Sequence, residues 1–425
     1  MQRPRLMKII LAASIATGGI AFLQPSPTQA ASPVQILLDG YPLTSNGDSM
    51  VVSGTTLVPF RSISEALGIQ VTWNQATKTI KAVKGEGSDA VLVQLTLGSK
   101  QATVNGAPVP LAVAPRSVGG NTLIPLSFFS QQFGATVGWS QTTRTVSITS
   151  PQERMYVLGF YALGSYSEVS RVQNLDAVAF GWSRIDENGV FSTTARPFRW
   201  PENAGEVTPE SLVSDASTTG TTPYLMVYSS DVKGELTKIV ENSEFRKKAI
   251  ADILAAATET KFEGIMLDLE GLGLTTDKTY TQAAFNVFVK ELASQAKAAG
   301  LKLGLALHPL NSSYKGYDYK TLGKLADEIV IMAYDYRTGT GYSSESGKQP
   351  EPVSKVDEAI RLALKETDKD KLILGLNMDN ENANSVSILT GLAKRYDLKG
   401  IALWRLGIIK DDEWKSLQQS IEFKQ

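Results

Sequence analysis

Phe262-Glu263-Gly264-Ile265-Met266-Leu267-Asp268-Leu269-Glu270-Gly271 is the stretch that decides how the rest of the chain is read. Side chains alternate along a β-strand, so Ile265, Leu267 and Leu269 share one apolar face while Met266, Asp268 and Glu270 share the other. The apolar face calls for a covering of helices. The other face carries two carboxyl groups about 7 Å apart along the strand, from a rise of ~3.4 Å per residue. Keeping both ionised is costly. Repulsion and partial desolvation raise one pKa, so a carboxyl group can stay protonated near neutral pH and serve as a general acid. An Asp-x-Glu pair taken alone more often just accepts backbone or Arg hydrogen bonds at a strand end, so its surroundings must decide.

Outward from this strand, seven more short apolar runs alternate with amphipathic segments. They are Tyr156 to Tyr161, Ala177 to Trp182, Tyr224 to Tyr228, Lys302 to His308, Ile329 to Asp335, Leu372 to Asn377 and Gly400 to Arg405. Helices are clearest at Ser243 to Thr258, Thr281 to Ala299, Val353 to Leu364 and Ser385 to Tyr396. Eight βα units over residues 151–425 predict an α/β fold of the (β/α)8 TIM-barrel type, whose usual size is ~250 residues. A doubly wound open sheet is the competing arrangement. No Gly-rich phosphate fingerprint follows the first strand, which leaves nucleotide binding little support. Barrel enzymes place their chemistry where strands end at the C-terminal face. That rule selects Asp268 and Glu270, Tyr161, Trp182, His308, Met332-Ala333-Tyr334-Asp335, Asn377 with Asp379, and Trp404.

Composition narrows the chemistry further. The chain has 425 residues with 42 basic and 43 acidic side chains, so no excess positive charge draws it to nucleic acid. It contains no Cys and one His, which excludes thiol nucleophiles, disulfides, iron–sulfur clusters and zinc sites built from Cys or several His. Carboxylates, hydroxyls, amides and aromatics are left to do the work, with no metal or other cofactor. Residues 1–30 have the layout of a secretory signal peptide: Arg3, Arg5 and Lys8, then an uncharged run from Ile9 to Leu23, then Thr28-Gln29-Ala30. The apolar run is short of the ~20 residues of a membrane-crossing helix. An uncleaved anchor is the alternative. Secretion without cysteine fits a bacterial cell surface.

Residues 31–150 repeat themselves at a constant offset. Asp39-Gly40-x-Pro42 returns as Asn105-Gly106-x-Pro108, and Thr56-Leu57-Val58-Pro59 as Thr122-Leu123-Ile124-Pro125. Gly68, Val71, Trp73, Gln75, Thr77 and Thr79 return as Gly134, Val137, Trp139, Gln141, Thr143 and Thr145. Two tandem copies of a small α+β module are expected, each with short strands and a helix, Arg61 to Leu67 or Ser127 to Phe133, closed by a glycine. These motifs resemble the copper amine oxidase N-terminal-like (stalk) domain found beside secreted enzymes of Gram-positive bacteria. Neither copy has His, Cys or Met at matching positions to ligate copper. Trp73 and Trp139 read as packing residues in preference to sugar platforms. The repeats read as a spacer or a cell-wall contact.

From Met155 onward the chain resembles glycoside hydrolase family 18, in its spore-peptidoglycan and chitinase-like branch. The strand-four stretch is similar to the family's D-G-x-D-x-D-x-E, with Glu270 on the catalytic acid and Asp268 on the adjacent aspartate. Met332-Ala333-Tyr334-Asp335 matches M-x-Y-D, and Trp404 matches the aromatic under the sugar. The chain departs from the pattern at Glu263 and Met266, which stand where the family has Asp, and at Tyr228-Ser229-Ser230, which replaces S-x-G-G. The resemblance implies a retaining hydrolysis in which the substrate's 2-acetamido group is the nucleophile. Glu270 would be acid and then base, Asp268 would hold the acetamido N–H, and Tyr334 would donate to its oxygen. The implied partner is an N-acetylated glycan polymer, peptidoglycan or chitin. Asp335, Met332 and Asn377 would contact substrate, and Tyr161 and Trp182 would stack on sugar rings. The tyrosines Tyr314, Tyr317 and Tyr319 could do the same on a surface groove, and His308 reads as a cleft-rim or structural residue. A non-catalytic sugar-binding barrel is the competing function, motivated by Met266 and the missing strand-three motif.

Overall fold

The computed structural model describes residues 34–44, 47–336 and 349–424. The expected secretion signal lies outside the described residues.

The repeats do not close as two separate modules. Gln35–Leu38, from the first copy, pairs in parallel with Thr145–Thr149, from the end of the second. Thr79–Lys84 of the first copy pairs with Val91–Thr96 and so joins a five-stranded sheet that runs on through the opening strands of the second. A third sheet joins Thr55–Pro59 to Asn121–Pro125, the two Thr-Leu-[Val/Ile]-Pro segments, in antiparallel register. The short helices Phe60–Ala66 and Leu126–Gln132 send Ile63 and Phe129 into one core shared with Ile36, Ile80, Val93 and Val146. Gly68 and Gly134, at φ 65° and 79°, end the helices as expected, because only glycine adopts this conformation without strain.

Trp73 and Trp139 correct the sequence reading. They are 38% and 44% exposed, and each indole N–H is held by the glutamine two residues on, Gln75 at 2.8 Å and Gln141 at 3.0 Å. A neighbouring amide satisfies the ring nitrogen, so neither indole needs a buried partner.

The C-terminal part is a closed barrel of eight parallel strands: β1 (Tyr156–Tyr161), β2 (Ala177–Ile185), β3 (Thr222–Ser230), β4 (Gly264–Glu270), β5 (Lys302–Leu307), β6 (Glu328–Ile331), β7 (Leu372–Asn377) and β8 (Gly400–Trp404). Closure comes from β1 pairing with both β2 and β8. Asn188-Gly189 makes a hairpin after β2, with Gly189 at φ 77°. Alternation divides every strand. Leu158, Phe160, Ala177, Ala179, Met266 and Met332 fill the barrel interior, while Val157, Val178, Phe180, Ile265, Leu267 and Leu269 join the layer under the helices.

Strand six is shorter than expected. After Ile331 the chain turns inward through Met332, Ala333 and Tyr334: the amides of Ala333 and Tyr334 bond two residues back, at 2.8 and 2.9 Å, instead of across a strand. The repeat domain is seated on the barrel through the helix Ala383–Arg395. The Arg395 guanidinium donates to the carbonyls of Leu38 and Tyr41, at 2.9 and 3.1 Å, and lies 5.4 Å over the Tyr41 ring.

Candidate active site

Asp268 and Glu270 leave β4 on its inner face, as the alternation predicts, opposite Tyr228 and Ser230 of β3 in register. Asp268 is buried, and its Oδ1 has no hydrogen-bond partner among the described residues. Below it lies the fully buried Met266. A Cβ at Gly304 of β5 would come within 2.4 Å of the Met266 methyl, so this glycine makes the room for Met266. With an apolar floor in place of a carboxyl partner, burial and then the Glu270 charge push the Asp268 carboxyl well above the usual carboxylate range. Glu270 is half-buried, and burial followed by the Asp335 charge raises it to about 7. Glu263 stands at the opposite, exposed end of the strand, where it accepts from Ser217, so its departure from the family's Asp does not touch the site.

Tyr334 lies between the acids and β7. The Asp268 and Glu270 charges both add to the burial that raises its phenol. Its ring occupies space that a Cβ at Gly375 would contest, at 3.1 Å. Asp335 has φ 59° and accepts from the amides of Asn377 at 3.3 Å and Asn380 at 3.2 Å, while its own N–H donates to Glu351 at 2.9 Å. Trp404 packs at the mouth, edge to face with Phe160 at 5.2 Å and 6.3 Å from Phe198. The Trp404–Arg405 peptide is cis.

Four expected substrate contacts are corrected. Tyr161 and Trp182 are 3% and 0% exposed and lie outside the barrel wall, where Trp182 packs on Phe180 at 4.4 Å and Trp200 at 5.3 Å. Both share strand parity with residues under the helices and so face away from the mouth. Asn377 is buried with both polar ends engaged, donating to Asp335 and accepting from the Asp379 N–H, which makes it a support for Asp335. Met332 is buried in the interior cluster beneath the mouth. Tyr317 and Tyr319 are likewise buried. Tyr317 donates to the Leu269 carbonyl at 2.7 Å and accepts from the Leu272 N–H at 3.3 Å, clamping the end of β4.

Two residues at the mouth were missed. Tyr228 faces the acid pair; burial, then Glu270 and Asp268, push its phenol up to about 12. Phe198, from the segment after β2, packs on it at 4.6 Å. The signal available for Tyr228 was its position at the end of β3, where its place was noted only as a motif lost.

Residues 228–388 match the family model described as glycosyl hydrolases family 18, and residues 37–148 that of the copper amine oxidase N-terminal domain. A cortical fragment-lytic enzyme of Bacillus subtilis is 28% identical over 151 residues, 34% of this chain and 33% of the relative. Its Bacillus anthracis counterpart is 24% identical over 184 residues, 41% and 40% of the two chains. The chain thus spans between a third and two fifths of the length of these curated relatives. Among solved structures, a chitinase from Chromobacterium violaceum superposes with TM-score 0.50 at 20% identity, covering 62% of this chain and 98% of that one. The Bacillus cereus spore cortex-lytic enzyme SleL does so with TM-score 0.50 at 16% identity, covering 65% and 77%. At these identities the superpositions speak for the fold. The chain carries a glycosyl hydrolases family 18 domain in its barrel, with a copper amine oxidase N-terminal domain ahead of it.

Proposed function

We propose that the barrel hydrolyses an N-acetylglucosamine-containing glycan, peptidoglycan first and chitin second, with retention at the anomeric carbon. The observation that carries this reading is Glu270: a half-buried carboxyl with its pKa raised to about 7, at the mouth beside Asp268 and Tyr334. Glu270 gives its proton to the glycosidic oxygen as the bond breaks. The substrate's own acetamido oxygen closes on the anomeric carbon, a tethered nucleophile with a high effective molarity. Tyr334 donates to that oxygen, and Asp268 orders the acetamido N–H. Glu270, now a carboxylate, takes a proton from the water that opens the ring. Peptidoglycan is preferred because the curated relatives are named for cortical fragments. The exposed indoles of Trp73 and Trp139 support wall contact through the repeats. The signal-like N-terminus supports work at the bacterial envelope.

Glu270→Gln in the full chain is expected to abolish release of new reducing ends from purified peptidoglycan and chitin while leaving polymer binding in place. Equal release by the variant would overturn the hydrolase reading. A second reading, a barrel that binds glycan without cutting it, is favoured by Met266 and by the Asp268 Oδ1, which has no partner among the described residues. It predicts polymer binding by the wild type with no reducing ends released.

A further inference from the structure

His308 follows the last residue of β5 and is the single histidine of the chain. Its ring is pinned: it stacks on Tyr314 with centroids 4.0 Å apart and planes at 19°, and its backbone carbonyl accepts from the Tyr319 hydroxyl at 3.1 Å. Nε2 is buried and has no hydrogen-bond partner among the described residues, and it lies 3.6 Å from Glu270 Oε2. Such a group, left unpaired, costs the desolvation of an N–H or a lone pair, so the charged neighbour it has among the described residues, Glu270, is the natural partner. The gap is about 0.6 Å more than an ordinary N–H···O bond, within reach of the broad terminal torsion of a glutamate.

Among the described residues, the other titratable groups around Glu270 are acids and phenols: Asp268 on its own strand, Tyr228 on β3, Tyr317 after β5, and Tyr334 and Asp335 after β6. None of these, once ionised, stabilises a second anion. We propose that His308 is a positioning residue for Glu270, a neutral imidazole that donates its Nε2–H to the Glu270 carboxylate and holds it toward the cleft. This rests on Glu270 acting as the acid. When the Glu270 proton passes to the leaving oxygen, the charge left on Oε2 is met by the Nε2–H. No proton leaves the ring, and the proton taken from water restores the starting state. Burial fits the neutral form, since it lowers the imidazole to about 4.

The full chain carrying 15N-labelled histidine gives the imidazole signals of one residue. The expected spectrum is that of a neutral ring protonated at Nε2 from pH 5 to 8, with an inflection near pH 7 that disappears in Glu270→Gln. A ring that itself titrates near the ordinary value of ~6.5, or an inflection that survives Glu270→Gln, overturns the proposal. In kinetics, His308→Phe keeps the stack on Tyr314 but removes the donor, so the Glu270 proton is held more tightly. The upper limb of kcat/KM against pH then moves up by about one pH unit, and His308→Gln moves it back. A lower rate with an unmoved limb means a merely structural role and also overturns it. If the wild type cuts no N-acetylated glycan while the shared inflection is present, the hydrolase reading falls and the His308–Glu270 pair stands.

Discussion

At the scale of one residue, Glu270 sets function against stability. Below pH 4.5 its carboxyl is protonated in folded and unfolded chains alike, and above about 7 in neither. Between these values only the folded chain binds the proton, so stability falls as the pH rises through that window. Glu270→Gln removes the ionisation. It is expected to raise the melting temperature by about 2 °C at pH 8, discounted for the partial exposure of the side chain, and to leave it unchanged at pH 4. Differential scanning calorimetry at the two pH values checks this, and an equal rise at both would assign the effect to packing. For catalysis the sign is the same: the acid must hold its proton, so kcat/KM declines above about pH 7.

At the scale of the element, the site depends on where β4 stops, and Tyr317 fixes that point by bridging the Leu269 carbonyl and the Leu272 N–H. Tyr317→Phe strips two buried backbone groups of a partner. It should cost about 1–3 kcal/mol in a denaturant melt, and kcat should fall because the backbone carrying Glu270 loosens. An unchanged kcat would mean that Glu270 keeps its place without the clamp. The eight strands were legible in the sequence because each is a short apolar run, and β1, β4 and β7 have the expected ends. The inward aim of Asp268 and Glu270 followed from alternation alone. The same parity applied to Val178, Phe180 and Trp182 already points Trp182 outward, so that error came from weighting residue type over phase. Tyr228 and His308 stood at expected strand ends, but their contacts with the acids were not legible, because those depend on the register between β4 and its neighbours β3 and β5. Strand six ended early because its last bonds run back along its own chain, which an apolar run does not reveal.

At the scale of the whole molecule, the repeats carry two exposed indoles on a body fixed to the barrel by Arg395, which donates to the Leu38 and Tyr41 carbonyls. An exposed indole whose N–H is already satisfied keeps its face free for the C–H surface of a sugar. In the full chain, Trp73→Ala with Trp139→Ala should reduce the fraction sedimenting with purified walls severalfold and leave hydrolysis of short soluble glycans unchanged. Undiminished sedimentation would remove the repeats from wall contact.

The strand that opens the repeat domain finds its parallel neighbour 110 positions later, with Gln35 opposite Thr145. Its other neighbour, Tyr41–Pro42, follows at once, but a ribosome must deliver the whole domain before the strand meets its parallel partner, and folding there is slowed by that distance. For the same reason, a protease nick between the copies would not free either half. The pieces would stay paired through their shared sheets, so neither can be trimmed away alone.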